Sequence, residues 1–194
     1  MANSSPFATV IIKPDAHRDV MAEMIARDLQ EGGLDIIFRK DIIFSREQAE
    51  KIYFEERGKA NFPNAAQSLL GTDKHKFSTL LILKSQEGRD GLLKAQNIKG
   101  KVGQGGIRET YHLYAREELE KMGLTSEELK NELAKNRLHV PDTDKKMIEI
   151  IDMLLAEREK MDLKEREPEL YNELLKLREN REVRRELSTR KWIK

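Results

Sequence analysis

The sequence predicts an α/β sandwich, and three observations carry that expectation. Apolar, β-branched runs of strand length occur at Phe7 to Ile12, Leu34 to Phe44 and Phe77 to Leu83. Stretches with helical spacing and helix-start signals separate these runs. Strands alternating with helices imply a sheet covered by helices, although periodicity leaves the strand order open.

Phe7 to Ile12 is apolar throughout and ends at Lys13-Pro14, the pattern of a buried strand that closes on a loop. From Arg18 onward, Val20, Met21, Met24, Ile25 and Leu29 recur at helical spacing, and Gly32-Gly33 supplies the stop. Leu34 to Phe44 is expected as the second strand. Ser45-Arg46-Glu47-Gln48 has the form of a capping box and starts a helix that runs to about Arg57. Phe77 to Leu83 is the third strand, and Arg89 to Gln96 a short helix. Asn97 to Gly106 is glycine-rich and leads into Ile107-Arg108, after which Tyr111 to Tyr114 reads as a short strand. Thr125-Ser126-Glu127-Glu128 is a second capping box that opens a helix to about Lys135. A further helix is expected from Thr143 to Arg158, with Met147, Ile150, Ile151, Leu154 and Leu155 on its apolar face.

The chain has 194 residues, enough to bury a sizeable core in one domain with an appendage. Charged residues make up 37% of it, yet 36 Lys+Arg and 35 Asp+Glu nearly cancel. A net charge of +1 gives no general attraction to nucleic acid or anionic lipid, so a positive site has to be local. The absence of cysteine excludes disulfides, thiolate catalysis and cysteine-based zinc sites. The opening Met1-Ala2-Asn3-Ser4-Ser5-Pro6 has neither the pattern of a signal peptide nor that of a membrane span, which makes a cytoplasmic protein the expectation.

Composition shifts after about Ala156, where Glu, Arg and Lys dominate to Lys194. The expected division is therefore a domain over 1–155 and a charged helical extension over 156–194. Leu170, Leu174 and Leu177 form one narrow stripe, the pattern of a solvated helix packed along an edge. The stripe is too short for a sustained coiled coil. Arg184-Arg185 and Arg190-Lys191 are interleaved with acids, which argues against nucleic-acid binding.

The chemistry-bearing residues cluster in a few strings. Asn136-Arg137-Leu138-His139-Val140-Pro141-Asp142-Thr143 carries one of four histidines, and Val10-Ile11-Ile12-Lys13-Pro14-Asp15-Ala16 carries a lysine at a strand end. A neutral imidazole nitrogen can attack phosphorus, while lysine and arginine neutralise and align phosphate oxygens. Taken singly, each residue has a plainer reading. His139 fits a loop, Lys13 a surface lysine, Arg108 an ordinary ion pair and Tyr53 half-buried helix packing. Gly100-Lys101-Val102-Gly103-Gln104-Gly105-Gly106 lacks the spacing of a P-loop and reads as a flexible border. The histidines are scattered and no carboxylates have ligand spacing, so no protein metal site is expected.

Together and in this order, the strings resemble the nucleoside diphosphate kinase family. Its active-site signature, Asn-x-x-His-Gly-Ser-Asp-Ser, is matched at Asn136, His139 and Asp142, with Thr143 a conservative replacement. Lys13-Pro14-Asp15 matches its Lys-Pro-Asp motif, Ile107-Arg108 its Gly-Thr-Ile-Arg segment, and Tyr53 its tyrosine near the active histidine. The resemblance runs from about Thr9 to Phe62, more loosely to Arg108, and returns over Asn136 to Thr143.

The resemblance implies a ferredoxin-like α/β (α+β) fold, a four-stranded antiparallel sheet with helices on its faces. It implies transfer of a γ-phosphoryl group from a nucleoside triphosphate to a nucleoside diphosphate, by a ping-pong route through His139. Lys13 and Arg108 would hold phosphate, Tyr53 and Asn136 would shape the pocket, and Mg2+ would arrive with the nucleotide, held by phosphate oxygens and water. A homo-oligomer is implied as well. Several positions depart from the pattern. Val140-Pro141 replaces Gly-Ser and removes a hydroxyl and a backbone donor. Asn61 stands where the family has a base-stacking aromatic, which passes that role to Phe62. Arg89 is the candidate for a second phosphate-binding arginine, Asn97 falls near a family threonine, and Glu149 near the acid that orients the histidine. These departures leave a weakly active or inactive nucleotide-binding scaffold as the alternative. The helical insert at about 112–135 is expected to rim the nucleotide cleft.

Overall fold

A computed structural model of the chain describes residues 4–59, 62–72, 74–101, 105–111, 121–125, 128, 137–176 and 178–179. They divide into two compact units, Met1–Asp142 and Thr143–Lys194. The first unit is built on β1 (Phe7–Ile12), α1 (Pro14–Arg18), α2 (Ala22–Glu31), β2 (Leu34–Ile43), α3 (Arg46–Ile52), α4 (Phe62–Leu70), β3 (Phe77–Ser85), α5 (Gly91–Lys99), α6 (Ile107–Thr110) and β4 (Leu138–His139). The strands form a four-stranded sheet in the order β2-β3-β1-β4, with every pairing antiparallel. This is the ferredoxin-like sandwich expected from the sequence.

Position in the sheet explains the composition of the strands. β1 has a neighbour on each side and is buried at every residue, which is why it reads as an unbroken apolar run. Its alternation sorts the core. Ala8, Val10 and Ile12 join Leu81 and Leu83 of β3, Ile25 and Leu29 of α2, and Leu92 and Ala95 of α5. Phe7, Ile11, Leu80 and Ile82, also fully buried, belong by the same alternation to the opposite face. α3 begins as the sequence indicates, with a complete capping box between Ser45 and Gln48. It ends at Ile52, short of Arg57, and a single 3-10 turn over Phe54–Glu56 follows.

The helix expected from Arg18 onward begins only at Ala22, and a separate short helix ends at Arg18. α1 starts directly after Lys13, and Val20 breaks the run with a φ of 59°. Val20 is therefore not part of the apolar face; it is 83% exposed, and Ala22, Ile25, Ala26 and Leu29 form the buried stripe. Tyr111, expected to begin a strand, closes α6 instead, and its hydroxyl donates to Asp28 Oδ2 at 2.6 Å. Most of the 112–135 insert lies outside the described residues. Its expected capping box is present, with Glu128 N–H donating to Thr125 Oγ1 and Thr125 N–H to the Glu128 carboxylate.

In the second unit, Thr143 caps α7 (Asp144–Leu154), whose face Met147, Ile150, Ile151 and Leu154 is buried. The helix stops at Leu155, and α8 (Glu157–Arg166) starts afresh rather than continuing to Arg158 as one element. Chain 168–176 is again helical, and Leu170 and Leu174 are buried, so these two leucines of the stripe serve packing, while Leu177 lies outside the described residues. The ammonium of Lys160, buried to 5% exposure, contacts Asp152 and Glu157 at 3.0 Å each. Arg178 joins the same carboxylates at 2.9 and 2.6 Å. No helix among the described residues is long and apolar enough to cross a membrane.

Two stability outcomes follow. A β-branched residue at positive φ costs about 1–2 kcal/mol, so Val20→Gly is expected to raise the melting temperature by a few degrees; an unchanged or lower value in a thermal melt would contradict this. In the second unit, burial alone would raise the Asp152 carboxyl, but hydrogen bonds from Lys160 and Arg178 outweigh it and hold the group low. The same cations, Arg178 first, hold Glu157 at about 2. Stabilisation by depressed carboxyls is complete above the unfolded value of about 4 and is lost as pH falls toward 2. Helical circular dichroism over that range should show acid melting, and Arg178→Met should shift it to higher pH.

Candidate functional site

Strand parity decides where His139 points. β4 is only two residues long, with Leu138 opposite Ile12 and His139 opposite Ile11. Residues directly opposite share a face, so Leu138 enters the α2/α5 core and His139 takes the other side of the sheet. Lys13, two residues beyond Ile11 and still extended, takes the same side as His139. Its N–H donates to Arg137 O at 2.8 Å, which carries the pairing past the end of the strand.

α3 delivers Tyr53 to that face. The phenol ring meets the His139 imidazole edge-on, with centroids 4.9 Å apart, and the buried Lys13 ammonium lies 5.8 Å from the same ring. α4, which opens with half-buried Phe62, packs beside α3 and beside α1, the helix that follows Lys13. Asn61 and Asn136 lie outside the described residues.

Arg108 arrives from the end of α5. The backbones of Gly100 and Gly106 touch there so closely that a Cβ on Gly106 would sit 2.7 Å from Ile98 O, and one on Gly100 1.9 Å from Gly105 O. Both have positive φ, which only glycine adopts cheaply. This contact sets α6 against the last turn of α5, burying Ile107 in the core and leaving Arg108 half-buried next to Tyr53. Burial lowers the pKa of the Arg108 guanidinium, opposed by Tyr53. Its Nε is buried with no acceptor among the described residues.

The same turn of α5 contributes a residue that the sequence reading passed over. Lys99 is half-buried, and burial holds its ammonium below the ordinary lysine value; Arg108 and Lys13 push the same way and Asp142 opposes them. One turn earlier, Gln96 Nε2 donates to Pro141 O at 2.9 Å, so this helix face abuts the segment that follows His139. A helix-terminal lysine is ordinarily a solvated partner of the last carbonyls, which hid this one in the sequence.

Arg89 is not brought to this cluster. It sits in the turn after β3, where Gly91 N–H bonds Ser5 O at the start of β1, and its side chain is 70% exposed. The six residues of β1 put it roughly 20 Å from Lys13. α5 then runs back along β1, so it is the C-terminal Lys99 that returns to the site. Asn97, also on α5, is exposed, and Glu149 belongs to α7 of the second unit.

Val140 and Pro141 have a packing role. Val140 is 2% exposed within the α2/α5 core, and Pro141 is buried with its carbonyl engaged by Gln96. The remaining described histidines lie elsewhere. His17 packs on Phe77 at 4.4 Å, and its Nε2 is 3.1 Å from the Thr79 hydroxyl, which donates to Asp41. With its proton committed to Asp41, Thr79 accepts from His17, and Thr79 lies on the Ile12 face. His75 sits in the turn between α4 and β3.

Comparison with known proteins identifies the family and the fold. The family model described as nucleoside diphosphate kinase matches residues 7–159. A nucleoside diphosphate kinase from Novosphingobium aromaticivorans is 30% identical over 90 residues, 46% of this chain and 59% of that protein, so the match spans under two thirds of its length. One from Erythrobacter litoralis is 28% identical over 108 residues, covering 53% of this chain and 72% of its own. The solved nucleoside diphosphate kinase of Aquifex aeolicus superposes with a TM-score of 0.55 at 19% identity, over 77% of this chain and 94% of that one, a likeness of fold. On the extent of the family match and the shared fold, the chain belongs to the nucleoside diphosphate kinase family.

Proposed function

We propose that the chain transfers the γ-phosphoryl group of a nucleoside triphosphate to a nucleoside diphosphate through a phosphohistidine at His139. The observation that carries this reading is the convergence on His139 of Lys13, Tyr53 and an Arg108 whose buried Nε–H has no acceptor among the described residues. An unsatisfied buried donor costs about 1–3 kcal/mol, and an anionic oxygen is the partner that removes the cost. A nitrogen of neutral His139 attacks the γ-phosphorus, the bond to the bridging oxygen breaks, and the diphosphate leaves with the electron pair. A second diphosphate then attacks the phosphohistidine, and the imidazole leaves neutral.

Lys13, Arg108 and Lys99 neutralise the charge on the transferring group and its leaving oxygen, and their burial strengthens the effect. Tyr53 holds the imidazole edge. Asn136 completes the pocket by its place in the signature, and Phe62 is the aromatic nearest in sequence to the family's base platform. Mg2+ belongs to the substrate in this reading; when bound through phosphate oxygens it supplies further charge neutralisation. A cytoplasmic homo-oligomer is part of the same proposal.

Val140-Pro141 favours the rival reading, a nucleotide-binding relative without transfer. One experiment separates the two. Incubated with γ-labelled ATP and magnesium, the wild type is expected to take up acid-labile label and His139→Ala none; an unlabelled wild type would overturn the proposal. Lys99→Met is expected to raise the Kd for Mg-ADP about tenfold, roughly 1.4 kcal/mol. The Lys99 ammonium is held low by burial, and its contribution is complete below that lowered value. It fades as pH rises through the lowered value, before ordinary lysines discharge near ~10.4. Titration calorimetry across that range should show the loss in wild type and not in Lys99→Met.

A further inference from the structure

We propose that Arg137 is a positioning residue that fixes the Lys13, Arg108 and His139 segments relative to one another, an inference that rests on the phosphoryl-transfer reading above. The family signature leaves this position open, and its general features assign the residue no role. The side chain is buried to 4% exposure. Its Nε donates to Tyr111 O at 3.0 Å, and its Nη1 lies 2.6 Å from the Asp19 carboxylate and 3.4 Å from that of Asp15. Its own carbonyl accepts from Lys13 N–H at 2.8 Å.

These partners and Arg137 itself lie on three different segments. Asp15 and Asp19 belong to the α1 turn that begins directly after Lys13. Tyr111 closes α6, three residues after Arg108. Arg137 itself is two residues before His139 on the β4 segment. One guanidinium therefore ties together the segments that carry Lys13, Arg108 and His139, while Lys99 arrives separately on α5. Its charge is balanced locally: Arg18 also binds Asp19, at 2.7 Å, so two carboxylates meet two arginines. Arg18 first, then Arg137, hold the Asp19 carboxyl below the usual carboxylate range against the effect of burial.

The planar fork matters as much as the charge. Nε and Nη1 point in fixed, divergent directions, one toward a carbonyl and the other toward carboxylates. A lysine ammonium at the same place keeps the charge and loses that divergence. Transfer requires the nucleophile, the phosphorus and the cations in near-attack geometry, where a displacement of about 1 Å costs on the order of a hundredfold in rate. Loosening the tie should therefore slow transfer much more than it weakens binding of nucleotide.

The test uses the full chain with Arg137→Met, Arg137→Lys and Asp19→Asn. Single-turnover uptake of label from saturating Mg-ATP gives a rate, its amplitude counts competent sites, and calorimetry gives the Kd for Mg-ADP. Arg137→Met is expected to slow uptake per competent site at least about tenfold with Kd within about threefold of wild type. Arg137→Lys should recover part of the rate, and Asp19→Asn should lose a smaller part. Wild-type rates per site in these variants, with only a lowered melting temperature, would assign Arg137 a purely structural role and overturn the proposal. If Arg137→Met does not fold, Asp19→Asn, which keeps the Tyr111 and Asp15 contacts, decides by the same rate. An unlabelled wild type defeats the transfer reading and this inference together, whereas labelled wild type with equally fast variants defeats this inference alone.

Discussion

Ile11 faces His139 across an antiparallel pairing only two residues long, and the period-two alternation of a strand then fixes the side from which the histidine projects. A slip of one residue would put His139 into the α2/α5 core and Leu138 on the face that carries Lys13 and Tyr53. The β1–β4 pairing is too short to resist such a slip by its own ladder. It is held by its surroundings, with Leu138 and Val140 buried in the core on one side and Lys13 N–H bonded to Arg137 O at the end. Core packing and site geometry are thus one constraint. Each large apolar side chain buried here contributes about 1.5–3 kcal/mol relative to exposure, and the same burial aims the histidine.

That dependence gives the Val140-Pro141 substitution a physical meaning. The pair adds apolar volume and a rigid φ where the family pattern has small and hydroxylated residues, and the chain uses them to anchor the end of β4. Gln96 closes the arrangement from α5 by binding the Pro141 carbonyl. The segment that follows the histidine is thereby fixed through packing and one side-chain hydrogen bond.

Much of the fold was legible because the central strands are buried on both faces and so appear as uninterrupted apolar runs. Ser45 and Gln48 announced α3 for an equally local reason, a cap whose two partners are three residues apart. His139, Lys13, Tyr53 and Arg108 were legible through motif order, and the sheet register and α3 bring the first three together. What stayed hidden depended on tertiary placement. Val20 looked like a helix face because spacing does not report a backbone turning left-handed. Arg89 and Lys99 sit at opposite ends of one helix segment, and only the antiparallel path of β3 and α5 decides which of them reaches Lys13. Arg137 was passed over because a buried arginine and a surface one look alike in a charge-rich chain. The ionic staple of the second unit was hidden similarly, since Asp152 and Arg178 are far apart in sequence.

Tyr111 has a consequence for how the site responds to alkali. Burial, then the hydrogen bond to Asp28, push its phenol up to about 12. The hydroxyl therefore keeps its proton, and α6 stays moored to α2, over the whole interval in which a depressed lysine loses its charge. Loss of charge at Lys99 and loss of the hydrogen bond between α6 and α2 are consequently two separate events, the second at higher pH. The first changes the charge around Arg108 while the tie holds, and only the second loosens the seat of α6, which Ile107 and Arg137 continue to support.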